Sequence, residues 1–253
     1  GNLTAGLLAG DNFDGTNACY NTLVGSSVGK CVTSGAYNVA LGYDSMSACA
    51  VTSSCSIAIG VEAGKNLTSG TNNIFLGTSA GCGSNSITGQ NNVIGGTHAG
   101  KYITSGSYNV LFGLGVGQEI TTGTSNILLG KYAGQLVHDG DVSIFLGECS
   151  GRYRGDSHSN IAMGIKALCG SGTPANNTGS WNIAIGNQAG QEVTSGARNI
   201  FLGQYAGQNT TNCNWSIYIG FGAGRCTNAG YHVAIGGCAL EGSSTVANNT
   251  GTC

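Results

Sequence analysis

Residues 68–81 read TSGTNNIFLGTSAG, and close copies of this segment recur along the chain. Aligning the copies on an anchor residue with glycine four positions later gives fourteen units, and eight of the thirteen spacings are seventeen residues. A fixed period of this kind indicates a repeat architecture in which each unit packs on its neighbours. The anchors are Asn2, Asn21, Asn38, Ser56, Asn73, Asn92, Asn109, Asn126, Ser143, Asn160, Asn182, Asn199, Ser216 and His232.

The length of the repeat excludes helical repeats, because those need about 33 residues or more and tolerate frequent glycine poorly. The unit must therefore be a coil of short strands and turns. The sequence predicts an all-β fold, a parallel β-solenoid (β-roll or β-helix) of about fourteen 17-residue coils. We expect one repeat domain over residues 1–253, interrupted by an insertion loop at 169–179.

The strand of each unit carries three apolar residues, such as Ile74, Phe75 and Leu76. Successive residues of a strand point to opposite faces. The first and third columns are the more regular, so we assign them to the interior and the middle column to the outside. An apolar stripe outside the coil would pack against another copy of the chain, and closed rotational symmetry would bury it in every subunit at once; three-fold symmetry is the arrangement that rods of this kind usually adopt. The predicted oligomer interface is Leu23, Phe75, Ile94, Leu111, Leu128, Phe145, Phe201 and Tyr218; the alternative is a wider coil that buries this column too.

The anchor column suits a ladder of stacked asparagine amides that hydrogen bond from coil to coil. The glycine four residues later, such as Gly77, is expected where the backbone turns with unusual torsion angles or approaches a neighbouring coil closely.

Composition restricts the partners of the chain. With 8% charged residues and a formal net charge of -2, the chain lacks the basic footprint of a nucleic-acid-binding protein. It also lacks an apolar run long enough for membrane insertion. The GxSxG segments at 25–29 and 77–81 are copies of the repeat turn and do not form a nucleophile elbow, and no His or Cys spacing typical of a metal site occurs, so we predict a protein that is not an enzyme and uses no cofactor.

The chain has eleven cysteines and no CxxC pair. This pattern favours disulfides in an oxidising compartment, with at least one thiol left over, over a zinc or thioredoxin-type site. Position within the repeat suggests two disulfides, Cys31 with Cys49 and Cys213 with Cys226. The alternative is that the cysteines are free and buried as small apolar side chains.

Charge concentrates in one part of the chain, in the eighth and ninth coils. We predict a receptor or cation contact there, although such residues can equally form a solvated turn region. The cluster is Asp139, Asp141, Glu148, Arg152, Arg154 and Asp156, and its last part spells the tripeptide Arg-Gly-Asp.

The units NIFLGTSAG, NIAIGNQAG, NIFLGQYAG and SIAIGVEAG resemble the glycine-rich repeats of phage tail fibres and related trimeric surface adhesins. They are also similar to the head repeats of trimeric autotransporter adhesins. The resemblance implies a homotrimeric, extracellular, non-enzymatic segment on a virion or cell that attaches to a cell-surface glycan or protein receptor.

Three other functions are compatible with the repeats. The first is a structural subunit of an extracellular filament. The second is an ice-binding protein, suggested by an interrupted threonine column that includes Thr68 and Thr104. The third is a polysaccharide-cleaving tailspike, which would need paired acids.

Overall fold

The computed structural model describes residues 1–13, 17–227 and 230–242. The chain divides into two compact units, Gly1–Ser125 and Asn126–Cys253. Both are all-β parallel β-solenoid, and together they contain about thirteen coils, which confirms the predicted fold class. Within the described ranges the one helical segment is a 3-10 turn at Pro174–Asn176, inside the predicted insertion.

Each coil contributes one strand of three residues, which begins directly after the anchor. The strands of the first unit are β1 (Leu3–Ala5), β2 (Thr22–Val24), β3 (Val39–Leu41), β4 (Ile57–Ile59), β5 (Ile74–Leu76), β6 (Val93–Gly95) and β7 (Val110–Phe112). Those of the second unit are β8 (Ile127–Leu129), β9 (Ile144–Leu146), β10 (Ile161–Met163), β11 (Ile183–Ile185), β12 (Ile200–Leu202), β13 (Ile217–Ile219) and β14 (Val233–Ile235).

Within each unit every strand pairs in parallel with the next, without a shift in register. Ile57 pairs with Ile74 in the first unit, and Ile183 pairs with Ile200 in the second. Equivalent residues of successive coils therefore stand in columns. The insertion at 169–179 leaves the register of β10 with β11 unchanged, because its extra residues lie in the turn region.

The structure reverses the predicted inside and outside of the strand. The middle column faces the interior of the coil, and the first and third columns face outward. Leu23, Phe75, Ile94, Leu111, Leu128, Phe145, Phe201 and Tyr218, which we expected at an oligomer interface, are all between 0% and 1% exposed in the single chain. They cannot contact a partner, so the predicted interface is wrong. The alternative is right that the middle column is buried, but the coil is not a wider one that also encloses the first and third columns.

Packing around the middle column explains the reversal. The backbone opposite the strand approaches so closely that a Cβ atom on Gly64 would lie 2.7 Å from a ring carbon of Phe75. Space inside the coil is therefore limited, and the middle column shares it with a second apolar column that includes Ile103 and Ile120. Large and small residues compensate along the column, with Ala58 beside Phe75 and Ala184 beside Phe201.

The predicted asparagine ladder is present. The Asn92 side chain donates to Asn73 Oδ1 at 3.0 Å and to the Gly106 carbonyl at 2.9 Å, and its own Oδ1 accepts from the Asn109 backbone at 3.0 Å. In the second unit Asn199 makes the same bonds to Asn182 Oδ1 and to the Cys213 carbonyl. These amides are fully buried, so leaving one unpaired would cost about 1–3 kcal/mol.

The glycine after each strand is required by the backbone, as predicted. Gly186 has φ of +137°, and a Cβ atom there would lie 2.5 Å from the carbonyl oxygen of Gly203 in the next coil. Both the torsion angle and the close approach exclude a side chain at this position.

We expect Gly186→Ala to destabilise the second unit, whereas Gly172→Ala should be tolerated. Gly172 lies in the insertion loop with no atom within 4 Å of a Cβ there, and its torsion angle is outside the left-handed region. Thermal unfolding followed by circular dichroism should show a loss on the order of 5–10 °C for Gly186→Ala, which corresponds to about 2–3 kcal/mol. Equal melting temperatures for the two variants would contradict the backbone requirement.

Candidate functional site: an exposed apolar sheet face

The first and third columns of the strands form an outward apolar face in each unit, which we call the outer sheet face. In the first unit its exposed members include Ile59 at 39% and Phe112 at 41%. In the second unit they include Ile127, Leu129, Met163 and Ile185, between 37% and 41% exposed. Leu3, Val24, Val233 and Ile235 are also exposed, at 39–67%. Other members are half-buried: Val39, Leu41, Ile57, Ile74, Leu76, Val93, Val110, Ile144, Leu146, Ile161, Ile183, Ile200, Leu202, Ile217 and Ile219.

This face is unusual because both of its columns are apolar. A sheet with one face against the core normally alternates apolar and polar residues, with the polar ones outward. The interior face of β12 carries Phe201, yet its outward residues are Ile200 and Leu202. Neither Ile200 nor Leu202 contributes to the interior, so both form part of the outward apolar surface.

The predicted charged cluster is divided among different environments. Glu148 pairs with Lys131 at 3.3 Å, and Asp141 lies 3.8 Å from His158. The side chains of these pairs are about half exposed to solvent, so each pair contributes little to stability. Asp139 and Asp156 are exposed, and Arg152 donates to Gln135 at 2.8 Å while its guanidinium lies over the rings of Tyr132 and Tyr153, 5.1 Å from each centroid.

Arg154 is fully buried, so its assignment as a receptor contact is wrong and the Arg-Gly-Asp tripeptide is not presented. Arg154 occupies the interior column that also contains Val137 and Val193. The coil between Arg154 and Val193 carries the insertion loop. Its side chain reaches across that coil and donates to the carbonyls of Val193 and Thr194 at 3.1 and 3.2 Å. Burial lowers the pKa of Arg154 to about 10.

The two predicted disulfides are not formed, and all four cysteines are free thiols. Val32 pairs with Val51, so Cys31 lies beside Ala50, and Cys49 is one residue out of register and points elsewhere. Cys213 lies near the asparagine ladder, whereas the Cys226 sulfur accepts a hydrogen bond from Asn209. These two cysteines belong to different columns. The alternative of buried free thiols applies to Cys149, Cys169, Cys213 and Cys226.

The threonine column uses its hydroxyls within the fold. Thr104 donates to the Thr121 carbonyl and Thr194 to the Thr211 carbonyl, each at 3.1 Å. An ice-binding surface needs outward hydroxyls that are available to water, so this arrangement gives that function no support.

One pair of acids lies close together in the first unit, since Asp44 and Glu62 both contact Lys65 Nζ at 2.8 Å. The Lys65 ammonium lowers the pKa of Glu62; at Asp44 burial acts to raise the pKa, but the hydrogen bond from Lys65 and other contacts leave it lowered. A glycosidase needs one carboxyl with a raised pKa, so this pair does not suit an acid catalyst.

Small-ligand and metal sites have little basis in the described ranges. No group of three His, Cys, Asp or Glu side chains there could hold a metal ion. A shallow cavity of about 180 Å³, lined by Asn209, Arg225, Cys226, Glu241 and Gly242, is smaller than typical substrate pockets. The described part of the chain also contains no helix with the length and apolarity that a membrane crossing requires.

Comparisons of this chain with protein-family models, with curated proteins and with solved structures found no match.

Burial raises the pKa of Cys169 to about 11, with Cys149 acting in the same direction, and burial raises the pKa of Cys213 to about 11. In the unfolded chain both thiols ionise near pH 8.5–9, roughly. The stability that they contribute is therefore present below about pH 9 and is lost as the pH rises towards 11, on the order of 2 kcal/mol for each thiol.

Urea unfolding at pH 8, 9.5 and 11 checks this expectation. The free energy of unfolding should fall more steeply with pH for the native chain than for Cys169→Ala/Cys213→Ala. The other ionisable groups are common to both proteins, so parallel pH dependences would contradict the assignment.

Proposed function

We propose that the chain is a non-enzymatic, extracellular fibre or adhesin segment. It assembles as a homotrimer and attaches a virion or cell to a surface glycan or protein receptor. The observation that supports this proposal best is the outer sheet face, because its two columns are apolar on every strand except at Thr22 of β2 and Gly95 of β6. The resemblance of the repeats to phage tail fibres and trimeric adhesins agrees with it.

The size of the face favours burial against a partner. Burying an Ile or Leu side chain fully removes about 100 Å² of apolar surface from water. At roughly 40% exposure, the fourteen outward residues of the second unit leave on the order of 500 Å² exposed. That is as large as the largest patch on a typical monomer and more than half of the ~800 Å² that each partner buries in a standard interface.

A second and third copy of the same chain are the partners that fit this face best. Its two columns repeat once per coil with the same kinds of side chain, so equivalent faces match one another at every level. A rotation axis parallel to the stacking direction of the coils places equivalent coils at one height and closes the assembly. Three copies follow from the resemblance to trimeric fibres.

The fold also supplies the stiffness that a fibre segment needs. Each coil shares backbone hydrogen bonds, the asparagine ladder and the interior column with the coils next to it. Bending within a unit would require several of these bonds to lengthen together.

We expect the purified chain to sediment as a trimer at micromolar concentration, and the double variant Ile183→Asp/Ile185→Asp to sediment as a monomer. Two carboxylates per subunit on the outer sheet face would be desolvated in the interface at a cost of several kcal/mol each. Ser195→Asp, which places a carboxylate on an exposed turn of the same coil, is the control and should remain trimeric. Analytical ultracentrifugation gives the measurement.

A native chain that sediments as a monomer would refute the trimer and with it the proposed fibre segment. Long concentration-dependent polymers would instead favour the filament subunit. The circular dichroism spectrum of the double variant must retain the β signal. A monomer without that signal would reflect unfolding rather than dissociation of folded subunits.

A further inference from the structure

One corner of the coil presents a column of side chains that the fold itself does not require. The residue before each anchor has left-handed backbone torsion angles, with φ of 58° at Trp181, 60° at Arg198 and 58° at Trp215. Asparagine occupies this position at Asn72 and Asn91. It adopts that conformation most readily, whereas bulky residues there cost about 1–3 kcal/mol. Backbone preference therefore does not explain Trp, Arg and Trp in three successive coils.

These three residues form a stack, which we call the Trp-Arg-Trp column. The Arg198 guanidinium carbon lies 4.6 Å from the ring centroid of Trp181 and 4.9 Å from that of Trp215. Both indoles are 54% exposed. The guanidinium lies between the two aromatic rings, and cation–π attraction of about 0.5–1 kcal/mol for each ring favours that position.

The stack leaves the hydrogen-bonding edge of Arg198 available. Within the described residues its guanidinium has these two ring contacts and neither a hydrogen bond nor an ion pair. Arg225 provides the contrast: it lies over Tyr205, donates to Gln208 at 2.9 Å and is 3.6 Å from Glu241. A planar, fixed and unpaired guanidinium edge matches a carboxylate, which it can bind through two parallel hydrogen bonds.

The surroundings favour a sugar as the carrier of that carboxylate. Ser159 occupies the same column one coil before Trp181, and its small side chain leaves the outer face of that indole open for the apolar face of a sugar ring. The backbone N–H groups of Trp181, Arg198 and Trp215 all donate to the preceding coil, so no free strand edge is offered to a peptide.

We propose that the Trp-Arg-Trp column binds a carboxylated glycan, one containing a uronic or sialic acid. Arg198 pairs with the sugar carboxylate, and the indole of Trp181 stacks on a neighbouring sugar ring. This inference rests on the attachment role proposed above and gives it a receptor class.

The chain provides its own reporter for the test, because Trp181 and Trp215 are its only two tryptophans. Intrinsic tryptophan fluorescence therefore reports on this column alone. The probes are a hyaluronan hexasaccharide, tetragalacturonate and 3′-sialyllactose, with lactose as the neutral sugar and N-acetyl-tetraglutamate amide as the acidic peptide. We expect a saturable fluorescence change with at least one acidic sugar and none with lactose or the peptide.

Variants assign the carboxylate to Arg198. Arg198→Gln should weaken binding at least tenfold, and Arg198→Lys should weaken it several-fold, because lysine keeps the charge but loses the two-pronged geometry. Arg225→Gln removes an arginine that is already paired and should bind like the native chain. Circular dichroism checks that each variant is folded.

Four outcomes would overturn the site: no response to any acidic sugar, an equal response to lactose, an equal response to the glutamate peptide, or an undiminished response in Arg198→Gln. Dissociation of the trimer by Arg198→Gln would also overturn it, since the column would then be a subunit contact. Sedimentation separates the two proposals: a trimer that binds no glycan keeps the fibre role, whereas a monomer that binds glycan keeps the site.

Discussion

The buried amide of the anchor asparagine is the interaction on which the rest of the structure depends. One such side chain bonds to the ladder residue of the coil before it, to a turn carbonyl and to the backbone of the coil after it. A shift of one residue in a coil would break all three bonds inside a dry interior. The ladder thereby fixes the register. Because the register is fixed, residues at the same position of successive repeats form a column and share one environment.

The columns explain how much of the fold could be predicted from the sequence. The period, the strand after the anchor, the asparagine ladder and the corner glycines all follow from local spacing, and the structure confirms them. Which face of the strand points inward could not be predicted from spacing. Ile74, Phe75 and Leu76 are all apolar, so alternation with a period of two does not distinguish the inner face from the outer one. Residue size offered one signal: Ala58 beside Phe75 and Ala162 beside Phe145 alternate small and large side chains as in a filled interior, whereas Phe201 lies beside Tyr218.

The candidate site was harder to predict for a related reason. Arg154 looked like a surface charge by its residue type, yet its place in the column of Val137 pointed to the interior. The pairing of Cys31 with Cys49 failed because a single extra residue in the turn moves Cys49 out of register, and that of Cys213 with Cys226 failed because the two occupy different columns of the repeat. The Trp-Arg-Trp column has no sequence motif, since its members are seventeen residues or slightly more apart and only the coil brings them together.

The left-handed corner has a consequence for how such a chain can change over evolutionary time. At this position the backbone conformation is nearly the same in every coil, with φ between 55° and 60° for residues as different as Val142, Ser159 and Arg198. The side chain lies outside the interior and outside the asparagine ladder. Substitutions there can alter surface chemistry one coil at a time while the folding information in the interior stays untouched. Related chains should therefore diverge fastest in this column and slowest at the anchors, which is the pattern expected of a surface under pressure to change its ligand.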